Sequence, residues 1–539
     1  MRNLYIFNNA SRASGYGIGT FLRQLSAGMA AFPGWKVTVV DLMADVKDFT
    51  VTTDAQGITH HQIPALPMQA ESASYCRSAF HYVARNLCDG QAEEETVFHF
   101  NYYQHLPLAM ALKSRYPCAR IVLTVHYLGW CFELDGNLTR LRAITAKGHE
   151  PQDDKERRVL SSMEQEREFL HLADSVVVLS RATREILIAD YKTSPEKLHL
   201  VYNGLGDGPS PVAERIDTAG ESRDILFVGR LDEIKGLKYL ISAFARIAAR
   251  HPGSRLVIAG DGDFQPYLRQ SGTLPGRVVF LGRLEVGEME EAYRRACIGV
   301  MPSFHEQCSY TAIEMMRHGL PVIGTDSTGL SEMLDANPDL RVPIREEDFS
   351  EEDFVSAIAA RLDTLLSDEC AHLRASRANL RLYAERYTAT VMTESTRRVL
   401  ETTLPHIISA DWLPHIDGYM IQLINRHPDI DAEFFGMSGI GVYLWWRVRS
   451  LGTAAEGVGQ SMLVQEHLIY LLDWLQETRD GAPLPWQMTA TLQDMLRAGF
   501  YKTRVRSLLA GAMESATQLP LPSETETIHN ALRICNCKI

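Results

Sequence analysis

Short β-branched or aromatic runs alternate with longer helical patterns in the first part of the chain, at Leu4 to Phe7, Lys36 to Leu42, Thr96 to Asn101, Ile121 to His126 and Ser175 to Ser180. That rhythm predicts a parallel sheet with helices between its strands. After the polar stretch Gly206 to Arg223 it restarts, with strands expected at Ile225 to Gly229, Arg255 to Gly260, Arg277 to Gly282, Ile298 to Pro302 and Pro321 to Gly324. Beyond about Leu404 it stops, and apolar residues recur at helical spacing in Tyr419 to Ile424, Val442 to Trp446, Leu463 to Leu475 and Val505 to Met513. The expected fold class is α/β: a Rossmann-like domain over residues 1–205, a second over 206–385, a returning helix and linker over 386–404, and a mainly α-helical domain over 405–539. Ligands of open α/β sheets sit outside the carboxyl ends of the strands, so two such halves facing each other enclose a cleft lined by loops from both.

At 539 residues the chain needs more than one core, and its 45% hydrophobic and 22% charged residues leave little room for extensive disorder. A formal charge of −13 argues against a protein that holds nucleic acid. Nine cysteines are scattered without paired metal-ligand spacing, apart from Cys535 and Cys537, as in a reducing compartment. No signal-peptide pattern follows Met1 and no run reaches about 18 apolar residues, so a cytoplasmic chain without a transmembrane segment is expected.

Candidate chemistry gathers at strand ends of the second series. Phe227-Val228-Gly229-Arg230-Leu231 closes the first strand and Lys235-Gly236 follows at a helix start, which sets two fixed cations where a diphosphate leaving group could be neutralised. Two solvated charges beside a turn would produce the same pattern. The segment Pro302 to Glu314 links a strand to a helix, with Glu306 in the loop and Glu314 inside the helix. Ser309 reads as an N-cap, and the backbone N–H groups of Ser309, Tyr310 and Thr311 would attract phosphate. Glu314 could then accept hydrogen bonds from ribose hydroxyls while Glu306 meets the sugar. No histidine–carboxylate relay is apparent around Cys308 to make it a nucleophile.

Taken in order, Gly229-Arg230-Leu231, Lys235-Gly236, the Glu306 and Glu314 pair and Gly329-Leu330-Ser331-Glu332 resemble the family-4 retaining glycosyltransferases. The likeness covers residues 1 to 400 and includes Tyr202-Asn203-Gly204 at the crossover between the halves. It implies a GT-B fold, a UDP- or GDP-linked sugar as donor substrate, retention of anomeric configuration, and no required cofactor or metal. By the same resemblance Arg230 and Lys235 bind the donor diphosphate, Glu306 the transferred sugar and Glu314 the ribose, while Arg283 and Leu284 occupy the place where the base is held. The family's Pro-Phe-Gly after the first glutamate is replaced by Gln307-Cys308-Ser309. A side chain at Ser309 narrows the approach to the phosphate, which bears on donor identity.

In the first half, Ser14 to Thr20 carries three glycines before a helical pattern at Phe21 to Met29. Their spacing does not fit a dinucleotide fingerprint, although Asp41 stands at the end of the next strand. The resemblance turns Gly17 and Gly19 toward the diphosphate and acceptor. His126, after Thr124-Val125, is the candidate to face the reacting sugar and to orient or deprotonate the acceptor hydroxyl; a hydrogen-bonded structural histidine is the other reading. His105 is a weaker candidate, and Tyr102, Tyr103, Tyr127 and Trp130 would serve either as stacking surfaces or as core. Asp261-Gly262-Asp263 has metal-motif spacing but resembles a turn of this fold. The whole chain also resembles bacterial members of the family associated with small peptide natural products, which implies a peptide or protein acceptor and a C-terminal domain that helps to bind it. Nucleotide-sugar epimerisation or hydrolysis, and non-catalytic binding, stay open as alternatives.

Overall fold

The computed structural model describes residues 1–10, 17–65, 73–88, 90–116, 118–206 and 223–405. The helical domain expected from 405 onward therefore lies outside the described residues, as do Ser14 to Tyr16 and residues 207–222 of the polar stretch. The first domain is built on β1 (Arg2–Asn9), β2 (Trp35–Ala44), β3 (Thr50–Thr53), β4 (Thr59–Pro64), β5 (Thr96–Phe100), β6 (Arg120–Val125), β7 (Ser175–Val178) and β8 (Leu198–Leu200). They form one sheet in the order β3-β4-β2-β1-β5-β6-β7-β8, parallel except for the β3–β4 pair. The second domain holds β9 (Asp224–Val228), β10 (Arg255–Ala259), β11 (Val278–Gly282), β12 (Ala296–Met301), β13 (Val322–Thr325) and β14 (Arg341–Val342), all parallel, in the order β11-β10-β9-β12-β13-β14.

The expected strands appear within one or two residues of their predicted ends because parallel strands covered by helices on both faces are apolar throughout. In β1, Leu4 and Ile6 enter one core cluster while Tyr5 and Phe7 enter another. The pattern missed β3 and β4, whose Thr-Val-Thr-Thr and Thr-His-His-Gln stretches lie at a partly exposed edge, and the very short β8 and β14.

In each sheet the chain order reverses about the first strand: β1 lies between β2 and β5, and β9 between β10 and β12. Such reversal points open a crevice at the strands' carboxyl ends. The loops leaving β1, β5, β9 and β12 carry Gly17, Asn101, Arg230 with Lys235, and Glu306.

The crossover Tyr202-Asn203-Gly204 fixes how the domains meet. The Tyr202 hydroxyl donates to Glu332 Oε2 at 2.7 Å, and Asn203 Nδ2 donates to the Cys308 carbonyl at 2.6 Å. At Gly204 a Cβ would lie 2.2 Å from the Thr388 carbonyl oxygen, so only glycine permits this approach. Glu332 Oε1 also accepts the Arg181 backbone N–H at 2.7 Å, which makes the Gly-x-x-Glu glutamate a clasp between domains. The helix Ala389–Thr402 then returns to the first domain, where Arg120 Nη1 donates to the Leu400 carbonyl at 3.3 Å and Thr403 Oγ1 to Ser175 Oγ at 2.8 Å. No helix among the described residues is long and apolar enough to cross a membrane.

Asn203→Ala would strand the buried Cys308 carbonyl without its donor. The expected cost is about 1–3 kcal/mol of unfolding free energy, read by urea titration with an unchanged m-value.

Candidate active site

The loop after β9 delivers two cations. Arg230, partly exposed, pairs through Nη1 with Asp232 Oδ2 at 2.7 Å. The turn Glu233–Lys235 ends at Gly236, whose φ of +68° and Cβ position 2.1 Å from the Pro302 carbonyl oxygen admit no side chain without strain. That turn carries Lys235 onto the β12 loop, where its Nζ lies 2.6 Å from Glu306 Oε1, with the side chains only 21% and 11% exposed. The Glu306 carbonyl accepts Thr328 Oγ1–H at 2.5 Å and the Gly329 N–H at 2.8 Å, so the loop is anchored on the start of the helix Thr328–Met333.

Three residues on, Ser309 stands at the N-cap of the helix Tyr310–Arg317, as expected, in extended conformation. Its hydroxyl makes no capping bond, which corrects the capping role expected of that side chain. The first-turn N–H groups, Thr311 among them, therefore have no side-chain cap and present a partial positive charge. Facing this helix start is Gly17 of the first domain: a Cβ there would sit 3.6 Å from the Tyr310 ring. Gly19 is buried two residues along the helix Gly17–Ala30.

Deeper on the same helix, Glu314 Oε2 accepts the Tyr293 hydroxyl at 2.5 Å, and burial raises its carboxyl above the usual range, opposed by that hydrogen bond and by Arg317. Tyr293 comes from the helix Val286–Arg295, which begins after the turn holding exposed Arg283 and half-buried Leu284. The Asp261-Gly262-Asp263 turn packs backbone to backbone on the β9 loop, with Leu231 N–H donating to the Asp261 carbonyl at 2.9 Å. Cys308 is buried, and burial pushes its thiol up, away from nucleophilic character.

Across the crevice, His126 Nε2 lies 3.0 Å from Asn101 Oδ1, while Asn101 Nδ2 donates to the Phe7 carbonyl at 3.2 Å. The amide oxygen must accept, so the imidazole proton sits on Nε2 and Nδ1 keeps its lone pair. Burial lowers this histidine to about 3, with His99 adding to the shift, and keeps it neutral. Its ring packs against Phe21 at 4.7 Å. His105 is buried between Phe100 and Tyr102, and burial lowers it to about 3. Tyr102, Tyr103 and Trp130 are core, whereas Tyr127 is half-buried and donates to Gln104 Oε1 at 3.0 Å. Asn101 and His305 are the members that pattern reading missed. Asn101 was detectable as a polar residue ending an apolar strand; His305 acquires its neighbours from the other domain.

The family model for Glycosyltransferase Family 4 matches residues 16–206, and that for Glycosyl transferases group 1 matches residues 222–368. The chain belongs to the family-4 glycosyltransferases. This family-4 member is 32% identical over 182 residues to an uncharacterized glycosyltransferase of Methanocaldococcus jannaschii, covering 31% of this chain and 46% of the relative. It is 31% identical over 188 residues to the phosphatidyl-myo-inositol mannosyltransferase of Mycolicibacterium smegmatis, covering 34% and 46%. It thus spans about half the length of the curated relatives it matches. Its two-domain frame is GT-B: a sucrose-phosphate synthase from Thermosynechococcus elongatus superposes with a TM-score of 0.57 at 19% identity, over 74% of this chain and 98% of that one. An α,α-trehalose-6-phosphate synthase from Burkholderia multivorans gives 0.53 at 14%, over 74% and 96%.

In this family-4 chain the loop after His126 is pinned from below by a buried acid. Glu166 accepts the Gly129 N–H at 2.6 Å and the Tyr191 hydroxyl at 2.5 Å, and burial raises its carboxyl to about 7 from 4.5. The folded state therefore holds a proton here that the unfolded chain has released between those values. Its contribution is complete below about pH 4.5 and is lost as pH rises through about 7. Relative to Glu166→Gln, the wild type should lose about 3 kcal/mol of unfolding free energy from pH 4.5 to 8, measured by urea titration across that range.

Proposed function

We propose that this chain transfers a glycosyl group from a UDP- or GDP-linked sugar to an acceptor hydroxyl, with retention, and that the acceptor is a peptide or protein. The observation that carries the reading is the Lys235–Glu306 pair at 2.6 Å beside the uncapped start of the helix Tyr310–Arg317. A cation and a row of N–H donors suit a departing diphosphate, and a carboxylate on the same loop suits the sugar's hydroxyls. The names of relatives that move mannosyl groups or build glycogen support the same class of chemistry.

In the proposed reaction the bond between the anomeric carbon and the diphosphate oxygen breaks, and the electron pair leaves with the oxygen. Lys235, Arg230 and the N–H groups of Ser309, Tyr310 and Thr311 stabilise that charge, and Glu314 holds the ribose. Arg283 and Leu284 flank the base, and Gly17 and Gly19 let the first domain approach the diphosphate. The acceptor oxygen bonds to the anomeric carbon, while its proton passes to the departing diphosphate. His126 Nδ1, too weak a base at about 3 to hold that proton, orients the hydroxyl. No metal is required in this scheme, because side-chain cations and helix N–H groups perform the neutralisation. Nine cysteines scattered along the sequence suit a cytoplasmic location. The domain expected over residues 405–539, of which 406–539 lie outside the described part, is assigned to acceptor binding.

Incubation with UDP-glucose, UDP-galactose, UDP-N-acetylglucosamine and GDP-mannose, with and without candidate peptides, should release free nucleotide in an acceptor-dependent way. Release independent of acceptor would instead favour hydrolysis or epimerisation. Lys235→Ala should lower kcat/KM by about 10²–10³-fold in protein that circular dichroism shows still folded, although leaving Glu306 without its partner also lowers stability; a folded variant that keeps the wild-type kcat/KM would reject the role of Lys235 in leaving-group stabilisation.

A further inference from the structure

Two buried polar atoms without partners lie on neighbouring rings where the domains touch beside Glu306. Trp130, on the short helix Trp130–Glu133 of the first domain, is fully buried, and its Nε1–H has no hydrogen-bond partner among the described residues. His305 belongs to the second domain and directly precedes Glu306; its buried Nε2 likewise has no partner. The rings pack edge to face with centroids 5.9 Å apart.

The tautomer of His305 follows from its neighbours. Thr328 Oγ1 gives its proton to the Glu306 carbonyl and lies 3.3 Å from His305 Nδ1, so it accepts from an Nδ1–H. Nε2 is left with a lone pair, and burial holds the imidazole neutral by lowering it to about 4. Both partners are firmly held. Glu166 fixes Gly129, the residue before Trp130, and at Gly136 a Cβ would come within 2.8 Å of His305 Cβ. A buried donor and a buried acceptor left unsatisfied are each destabilising, so a ligand group able to satisfy both would be favoured here.

A carboxylate or phosphate would satisfy Trp130 and face the lone pair of His305, and an ammonium would do the reverse. A hydroxyl accepts and donates at once. Resting on the glycosyl-transfer reading above, we propose that Trp130 Nε1–H and His305 Nε2 together grip one hydroxyl of the transferred sugar, so that both domains select the donor's sugar ring. The donor sugar, rather than the acceptor, is assigned because His305 adjoins Glu306, the residue given to that sugar.

The test takes whichever donor the wild type turns over from the four-sugar panel, the corresponding free UDP or GDP, and the donor's monodeoxy analogues. Trp130→Phe removes the N–H and keeps an aromatic ring, though a smaller one; it should lower the Tm modestly, lower kcat/KM for the intact donor about tenfold and leave the Kd of the free nucleotide within error. One monodeoxy donor should cost the wild type the same factor and cost Trp130→Phe nothing more, and His305→Gln should change discrimination against that same analogue. Deoxy effects that add to the mutation at every position would show that only water bridges the two atoms, and would overturn the proposal. So would equal loss of free-nucleotide affinity, which a structural role produces, or an effect confined to acceptor KM. No wild-type turnover of any donor would instead overturn the glycosyl-transfer reading itself.

Discussion

A lysine ammonium and a glutamate carboxylate, 2.6 Å apart and mostly withdrawn from water, join the loops after β9 and β12. Taking both charges out of water costs about as much as their attraction returns, so such a pair is a poor device for stability. Its place at the strand-order reversal of the second sheet gives it another meaning. It holds the loop that leads into the helix Tyr310–Arg317 and, in the proposed reaction, keeps a cation ready for an anion that can compete with the carboxylate. The β9 turn, closed by the left-handed Gly236, and the Thr328 anchor on Glu306 both serve to hold these two groups in register.

Charge at one rim matters only if the other rim is held opposite it, and the interdomain contacts supply that constraint. Glu332, Asn203 and Gly204 tie the crossover to the second domain, and the helix Ala389–Thr402 binds the first. The same docking brings Gly17 to Tyr310 and Trp130 to His305. The proposed binding site between the domains thus depends on bonds made some distance from it.

Much of this was legible in the sequence, for reasons that differ element by element. Strands such as β1 and β9 are buried on both faces and appear as unbroken apolar runs. β4, one strand in from the edge and only partly buried at His60 and His61, does not. Arg230, Lys235, Glu306 and Glu314 were singled out as candidates from their places at strand ends and a helix start together with the ordered motifs that resemble the family, and the structure brings Lys235 and Glu306 together. The clasp made by Glu332 and the pairing of His305 with Trp130 were not found: both arise from chain segments more than a hundred residues apart, and no local pattern records them. Ser309 shows the reverse error, since a residue suited to capping sits in the right place and makes no cap bond.

The most direct measurement is a crystal structure of the protein soaked with UDP, and with GDP should UDP fail to bind. The account predicts a diphosphate at the start of the helix Tyr310–Arg317, with Lys235 Nζ moved from Glu306 onto its oxygens. A nucleotide seated elsewhere, or one bound there while Lys235 stays on Glu306 and no cation reaches the phosphates, would contradict it.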